Sequence, residues 1–496
     1  MKNIWKYAKR ILLAVVALAA ILAAAFVVEL RLAQHRVMIL RDRPVDFYAR
    51  ERGAIALDHV MLIDGTGHQA EPDQTVILEK GSITYVGPFA GRPNRPNIKS
   101  LDLSGHSVVP GLVGMHEHLF TTAATLPGSH TQLVQQSTVS RLLYLAAGVT
   151  TARTAGSIEP EADLQLKRRI DRGELIGPSL YLTAPYLEGN PPTFAEMHGL
   201  ANAEEARAIV NRWAERGMTS FKAYMNITPS ELRAAIDTAH QRGIKITGHL
   251  CSIGLEEASQ MGIDNLEHGL VTATEFYSGK QSDHCPERVG PVLRELNGMN
   301  IQGEQIQHLI SILIDRHVAI TSTLAVLESE LSNPSSDNEE RRRHAMTWMA
   351  WKLSQMRRNH IAGFHMSSLL NQEMAFERAF VQAGGMLLAG CDPTGDGSVL
   401  PGLGDQRELE LLVAAGFTTV EAIQIATWNG ARFLGIADQA GTVEAGKDAD
   451  LVVLAGDITQ QISNIEHVEL VFKKGVAYDS GAIFADVHGI VGLGEP

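Results

Sequence analysis

The densest chemistry in the sequence is His116-Glu117-His118, which closes an apolar run that reads as a strand. Residues two apart on a strand point to the same face, so both imidazoles would leave the sheet together. Three more ligand-type residues end later strand-like runs: His249, His268 and Asp392. Singly, each has an ordinary reading, since a strand-end histidine often caps a backbone group and an aspartate before Pro393 is a common turn residue. Jointly, four histidines and a carboxylate on one rim read as a metal centre. Such donors suit Zn²⁺, with Mn²⁺, Fe²⁺, Co²⁺ or Ni²⁺ harder to exclude. Lys222 lies in Ser220-Phe221-Lys222-Ala223-Tyr224. Alternation turns Phe221 and Ala223 outward and leaves Ser220, Lys222 and Tyr224 on the inner face. A neutral lysine buried among metal ions can be carbamylated by carbon dioxide and become a bridging carboxylate. His198, in the loop beyond Pro191-Pro192, is the candidate substrate contact.

These residues need a scaffold that brings eight strand ends to one rim. Strands are expected at Val113–His118, Val149–Arg153, Ser179–Thr183, Ser220–Tyr224, Lys245–His249, Asn265–His268, Ala319–Ser322 and Met386–Gly390, with helical patterns between them. One such helix starts at Thr228 as N-cap with Glu231 three residues on, and Gly243 stops it. Eight alternating units predict a (β/α)₈ TIM barrel over residues 111–438, with its chemistry at the carboxyl end. Short β-rich runs at 53–110 and 439–480 flank it, which predicts a small β-sandwich built from both ends of the chain. The stretch from about Val271 to Leu370 exceeds one βα unit. Its charged, Met-rich part, Asp337–Leu370, is expected to form a lid or the contact of a homo-oligomer.

Residues 1–36 differ in kind. Lys2, Lys6, Lys9 and Arg10 precede an uncharged run from Ile11 to Val28. Eighteen residues at about 1.5 Å each give roughly 27 Å, enough for a thin bilayer. The basic flank predicts a transmembrane helix that anchors an exported, periplasmic or extracellular, catalytic domain. The alternative is a secreted protein cleaved at the small-x-small site of Ala23 and Ala25. A polar connector is expected at about Arg36 to Arg52. The net charge of −13 argues against a nucleic-acid partner. Cys251, Cys285 and Cys391 show no C-x-x-C spacing and read as buried thiols.

The order of these residues resembles the amidohydrolase superfamily from about Ala54 to Lys474. The resemblance rests on Leu62-Ile63-Asp64-Gly65-Thr66-Gly67, on Val108-Val109-Pro110-Gly111-Leu112 leading into His116 and His118, and on Gly430-Ala431-Arg432-Phe433-Leu434-Gly435. It rests equally on the run Gly441-Thr442-Val443-Glu444-Ala445-Gly446-Lys447-Asp448-Ala449-Asp450-Leu451. It is closest to the imidazolonepropionase-like and prolidase-like branch, which hydrolyses cyclic amides, dipeptides and acylated amino acids. The resemblance implies two divalent ions. His116 and His118 would hold the first with Asp392, and N6-carboxylated Lys222 would bridge to a second on His249 and His268. It also implies a metal-bridged hydroxide attacking the amide or peptide C–N bond of a small-molecule substrate. Asp392 would be the general base and Tyr224 a hydrogen-bond donor to substrate or oxyanion. Three departures stand out: Gly114 where relatives carry Asp, Thr154 where they often have Asp, and Asp405-Gln406-Arg407-Glu408 near the last loop. The last is expected to bear on the substrate.

Two other readings fit the same residues. One is a mononuclear deaminase or imidazolone-type cyclic amide hydrolase, with Lys222 an ordinary amine. The other is a non-catalytic exported metal-binding protein, against which Asp392 argues, because binding alone needs no base.

Overall fold

The computed structural model describes residues 2–51, 53–95, 98–122, 132–331, 338–361, 367–393 and 399–492. Eight parallel strands form the centre: Leu112–Glu117, Val149–Thr154, Ser179–Tyr181, Ser220–Ala223, Lys245–Gly248, Asn265–Glu267, Ala319–Ser322 and Leu387–Ala389. The first three pair with one another and the last five pair in chain order. A parallel bridge from Thr183 to Ser220 joins the two groups on one side. On the other, the Asp392 N–H donates to the His116 carbonyl at 2.9 Å, so the ring is closed as a TIM-type barrel. That closure depends on Gly390, where a Cβ would lie 2.2 Å from the His116 nitrogen.

Alternation sorts the strand residues as their polarity requires. Phe221, Ala223, Ile246, Leu266, Ile320 and Leu387 face outward into one continuous core with helix residues such as Leu232, Ile236, Phe376 and Leu409. Burying each large apolar side chain stabilises the barrel by roughly 1.5–3 kcal/mol. Inside, Val113, Met115, Ala319 and Leu388 pack with Phe433 toward the amino ends of the strands. This apolar plug leaves the carboxyl end for polar residues. The helix Pro229–Gln241 has the reciprocal cap expected of Thr228 and Glu231, and Gly243 follows it at φ 66°.

The flanking β-elements form one branched nine-stranded sheet, not two separate sheets. Ile55–Leu62 is the branch point: its first half pairs with Lys99–Asp102 and its second with His106–Pro110. The switch falls at a register shift where His59 adopts φ 63°. Strands from the carboxyl end, Leu451–Ala455, Val468–Lys473 and Val476–Asp479, continue the second leaf. Leu57, Val76 and Leu78 of one leaf share a core with Leu451, Val453 and Phe472 of the other, so the packing is sandwich-like although the hydrogen bonding is continuous.

The N-terminal helix runs unbroken from Lys2 to Arg41. The connector expected from Arg36 is therefore helical in its first part, because Ala33, Val37 and Leu40 form a buried face. Arg141 donates to the Leu40 carbonyl at 2.8 Å and secures the helix end. The expected lid is placed elsewhere. Asn338–Ala345 and Trp348–Ile361 join the N-terminal helix and the chain's last described turn, through a Met346–Val491 bridge and the Trp348 N–H bonded to Glu29 at 2.7 Å. Residues 332–337 and 362–366 of that stretch lie outside the described residues.

Candidate active site

Each ligand-type residue is fixed by a backbone bond to the neighbouring strand. His249 N–H donates to Ala223 O (3.1 Å), His268 N–H to Thr321 O (3.0 Å) and Asp392 N–H to His116 O (2.9 Å). The peptide on both sides of His118 is clamped by the Tyr144 hydroxyl, which accepts from His118 N–H and donates to His118 O, both at 3.0 Å. His268 and Asp392 sit at φ 69° and 47°, left-handed conformations that non-glycine residues adopt only when surroundings hold them there.

The side chains converge. His118 Nε2 lies 3.1 Å from Asp392 Oδ1, and His116 Nε2 lies 3.7 Å from Asp392 Oδ2. Lys222 Nζ is 3.1 Å from His116 Nε2, and His268 Nε2 is 3.0 Å from His249 Nδ1. The structure thus brings His116, His118, Lys222, His249, His268 and Asp392 into one group, buried except for the partly exposed His249. Tyr224 joins its edge, with its ring 5.1 Å from that of His249 and 4.9 Å from Tyr186. His198 does not join it: its side chain is 65% exposed and bonds Glu205 at 2.8 Å.

Beneath this group lies a pair that strand alternation concealed. Glu267 Oε2 accepts from His116 Nδ1 at 2.8 Å, and Arg153 Nη2 donates to Glu267 Oε1 at 2.7 Å. Glu267 and His268 are consecutive, and a regular strand would send them to opposite faces. The left-handed turn at His268 aims both inward. A second irregularity acts at His116. From Gly114 to Glu117 the first strand advances three residues while Ala152 to Thr154 on its neighbour advances two. Arg153 Nε pins the extra residue by donating to Met115 O at 2.8 Å.

Electrostatics favour the ligand forms. Burial, followed by the nearby Lys222 charge, lowers His116 to about 4; burial and His116 lower His268 to about 3. His118 and His249 are lowered too, chiefly by burial. Burial brings Lys222 down to about 8, so a usable fraction of the amine is neutral near physiological pH. Burial alone would raise Asp392 and Glu267. The surrounding His116, His118 and His268 instead hold Asp392 well below the usual carboxylate range, and Arg153 with His116 does the same for Glu267.

Neutral imidazoles, a depressed lysine and an ionised carboxylate form the donor set a divalent ion needs. His116, His118 and Asp392 place one ligand atom each within 4.8 Å of one another. The facing nitrogens of His268 and His249, 3.0 Å apart, share at most one proton between them. Two imidazole nitrogens that face each other in this way, beside the His116, His118 and Asp392 donors, fit such a group.

Two sequence expectations are corrected here. Cys251 and Cys285 are disulfide-bonded, and only Cys391 is a buried thiol. The bridge lies two residues beyond His249, and spacing alone gave no sign that the loops meet. Asp405-Gln406-Arg407-Glu408 is not a substrate rim: Asp405, Gln406 and Glu408 are buried in the first turns of Leu403–Ala414. Gly114 leaves room for Glu117, whose Oε1 would be 2.6 Å from a Cβ there. Of the expected rim loop, residues 394–398 lie outside the described residues.

Residues 107–477 match the amidohydrolase family. The chain belongs to that family. Among its sequence relatives is an imidazolonepropionase of Idiomarina loihiensis, 26% identical over 115 residues, which are 23% of this chain and 28% of that one. An imidazolonepropionase of Caulobacter vibrioides is 22% identical over 240 residues, 40% of this chain and 60% of the relative. The matches therefore span less than two thirds of either relative. In fold, a Xaa-Pro dipeptidase with methionine bound in its active site is similar over 86% of this chain and 100% of its own, with a TM-score of 0.62 and 19% identity.

Proposed function

We propose that this chain hydrolyses the amide bond of a dipeptide or N-acyl amino acid, using two divalent ions, with zinc the best fit to the donors. His116, His118 and Asp392 would hold one ion, and N6-carboxylated Lys222 would bridge to another on His249 and His268. Such ions supply a nucleophilic water at neutral pH and polarise the scissile carbonyl. Asp392, ionised at neutral pH, takes the proton of the attacking water on Oδ2 and later delivers it to the leaving nitrogen. Glu267 holds His116 in one tautomer through Nδ1. Tyr224 donates to the substrate carbonyl as charge develops on it. Phe120, Tyr186, Met197 and Tyr224 pack as an aromatic and aliphatic wall beside the histidines, which suits an apolar acyl group or side chain.

The observation that carries this reading is the convergence of four imidazoles, Lys222 and Asp392 at one barrel mouth. The single-metal alternative, a deaminase or cyclic amide hydrolase, has one observation in its favour: Lys222 approaches His116 and not the His249–His268 pair. Metal content decides between them. The binuclear reading expects close to two ions per chain by elemental analysis, falling toward one in Lys222→Ala. One ion, unchanged by that substitution, would turn the substrate screen to deamination and ring opening. Asp392→Asn is expected to lower turnover by about 10²- to 10⁴-fold, the range over which a general base contributes. A wild type inert on a broad amide and peptide panel would favour the metal-binding reading.

We also propose that the N-terminal helix crosses a membrane and that the barrel lies on the exported side. Its apolar portion is long enough to cross and buried nowhere in the protein. The Cys251–Cys285 bridge supports an oxidising compartment.

A further inference from the structure

Where the N-terminal helix leaves its apolar run, it forms one wall of a cleft of about 540 Å³. Glu29, Leu32, Ala33 and Arg36 line it at helical spacing, and Arg343, His344, Trp348 and Lys352 face them. At 1.5 Å per residue this wall spans roughly 2 to 12 Å beyond Val28, which covers the headgroup zone of a leaflet, about 5–8 Å thick. The cleft carries three cations, Arg36, Arg343 and Lys352, on a chain whose net charge is −13. Arg36 spends its hydrogen bonds on the carbonyls of His488 (2.5 Å) and Asp486 (3.0 Å), so its charge is not neutralised. Among the described residues, neither Arg343 nor Lys352 makes an ion pair. Glu29 is the sole carboxylate in the lining, and it accepts the Trp348 N–H at 2.7 Å. The local field is visible at His344, which burial and the neighbouring His488 and Arg343 hold below the ordinary histidine range. Trp348 is 56% exposed, and Val28 and Leu32 present apolar surface beside it at 57% and 62%. Tryptophan at the headgroup level is the usual partner of such a boundary.

We propose that this cleft binds one anionic glycerophospholipid, with its phosphate on Arg343 and Lys352 and its acyl chains along Leu32 and Val28. The bound lipid would fix the height and tilt of the barrel above the bilayer, because the same cleft joins the helix to the helical insertion. The proposal rests on the membrane-spanning reading of the N-terminal helix.

The test uses the full-length chain extracted in detergent and titrated with phosphatidylglycerol, with phosphatidylcholine of the same acyl chains, or with inorganic phosphate, and read by native mass spectrometry. Expected is one phosphatidylglycerol per chain, bound in preference to phosphatidylcholine. In Arg343→Ala/Lys352→Ala binding should weaken roughly thirty-fold, from two membrane-facing cations lost. Circular dichroism and metal content should not change. Equal binding of both lipids, or no weakening in the double variant, overturns the proposal. Inorganic phosphate bound as tightly as phosphatidylglycerol overturns the lipid assignment and leaves a phosphate site. Intact mass separates this failure from that of the anchor. A chain cleaved near Ala25 overturns both, whereas an uncleaved chain without lipid selectivity overturns the cleft alone.

Discussion

At the scale of single residues, Glu267 shows how much of a candidate metal site lies outside the residues that would ligate the ion. It touches His116 at the ring nitrogen that faces away from Asp392, and Arg153 fixes it from the far side. Partners of this kind tune ligand affinity by about 10- to 100-fold. Glu267→Gln keeps the shape but removes the charge that holds the His116 Nδ1 proton. The expected result is metal affinity weakened by roughly that factor, measured by chelator competition, with secondary structure unchanged. An affinity within two-fold of wild type would reduce Glu267 to filler. His116, His118, His249, His268 and Asp392 were legible in the sequence because each ends a recognisable strand. Glu267 was not, because its inward direction is set by the backbone at His268.

At the scale of elements, the seventh strand is braced from behind by two carboxyl groups, of which at least one must be protonated. Ser322 Oγ lies 2.9 Å from Glu377 Oε2 and 2.5 Å from Glu408 Oε1. One hydroxyl has one proton to donate, so at least one of these acids carries its own. Burial raises Glu408 to about 7. Because the folded value lies above the unfolded one, the stability it contributes is complete below about 4.5 and is lost as pH rises through about 7. Glu408→Gln should therefore be more stable than wild type at pH 8, by about 1–3 kcal/mol, with the gap closing near pH 5. Urea unfolding at the two pH values checks it. The Cys251–Cys285 bridge acts on a different element. It spans 34 residues and ties the loop after His249 to the following insertion. Chain entropy gives a closed loop of this size about 3–4 kcal/mol. Cys251→Ser/Cys285→Ser should lose stability of that order in denaturant, and reductant should have no further effect on the variant.

At the scale of the whole molecule, the N-terminal helix is both a candidate anchor and a structural member. Its apolar window is not buried in the protein, but Ala33, Val37 and Leu40 belong to a core with Leu142, Ile483 and Ile490. Arg43 adds an ion pair to Asp486. A chain starting near Glu29 should keep the melting temperature of the full-length protein. One starting near Arg43 should melt several degrees lower, since it loses two or three buried aliphatic side chains worth roughly 1.5–3 kcal/mol each. Equal melting of the two truncations would show that the helix merely rests on the body.

The sequence by itself determined the barrel, its eight strands in order, the β-rich flanks and the metal-type residues. These features are periodic or local, and periodicity survives in a string of letters. Tertiary structure alone decided what depends on departures from periodicity or on contacts between distant segments. The three-against-two register at Met115–His116 and the left-handed turns at His268 and Asp392 re-aim side chains that alternation would send elsewhere. The disulfide, the docking of the helix on the chain's far end and the burial of Asp405 and Glu408 each join parts with no shared pattern. Packing, and not local preference, sets those contacts, and packing is a property of the assembled chain.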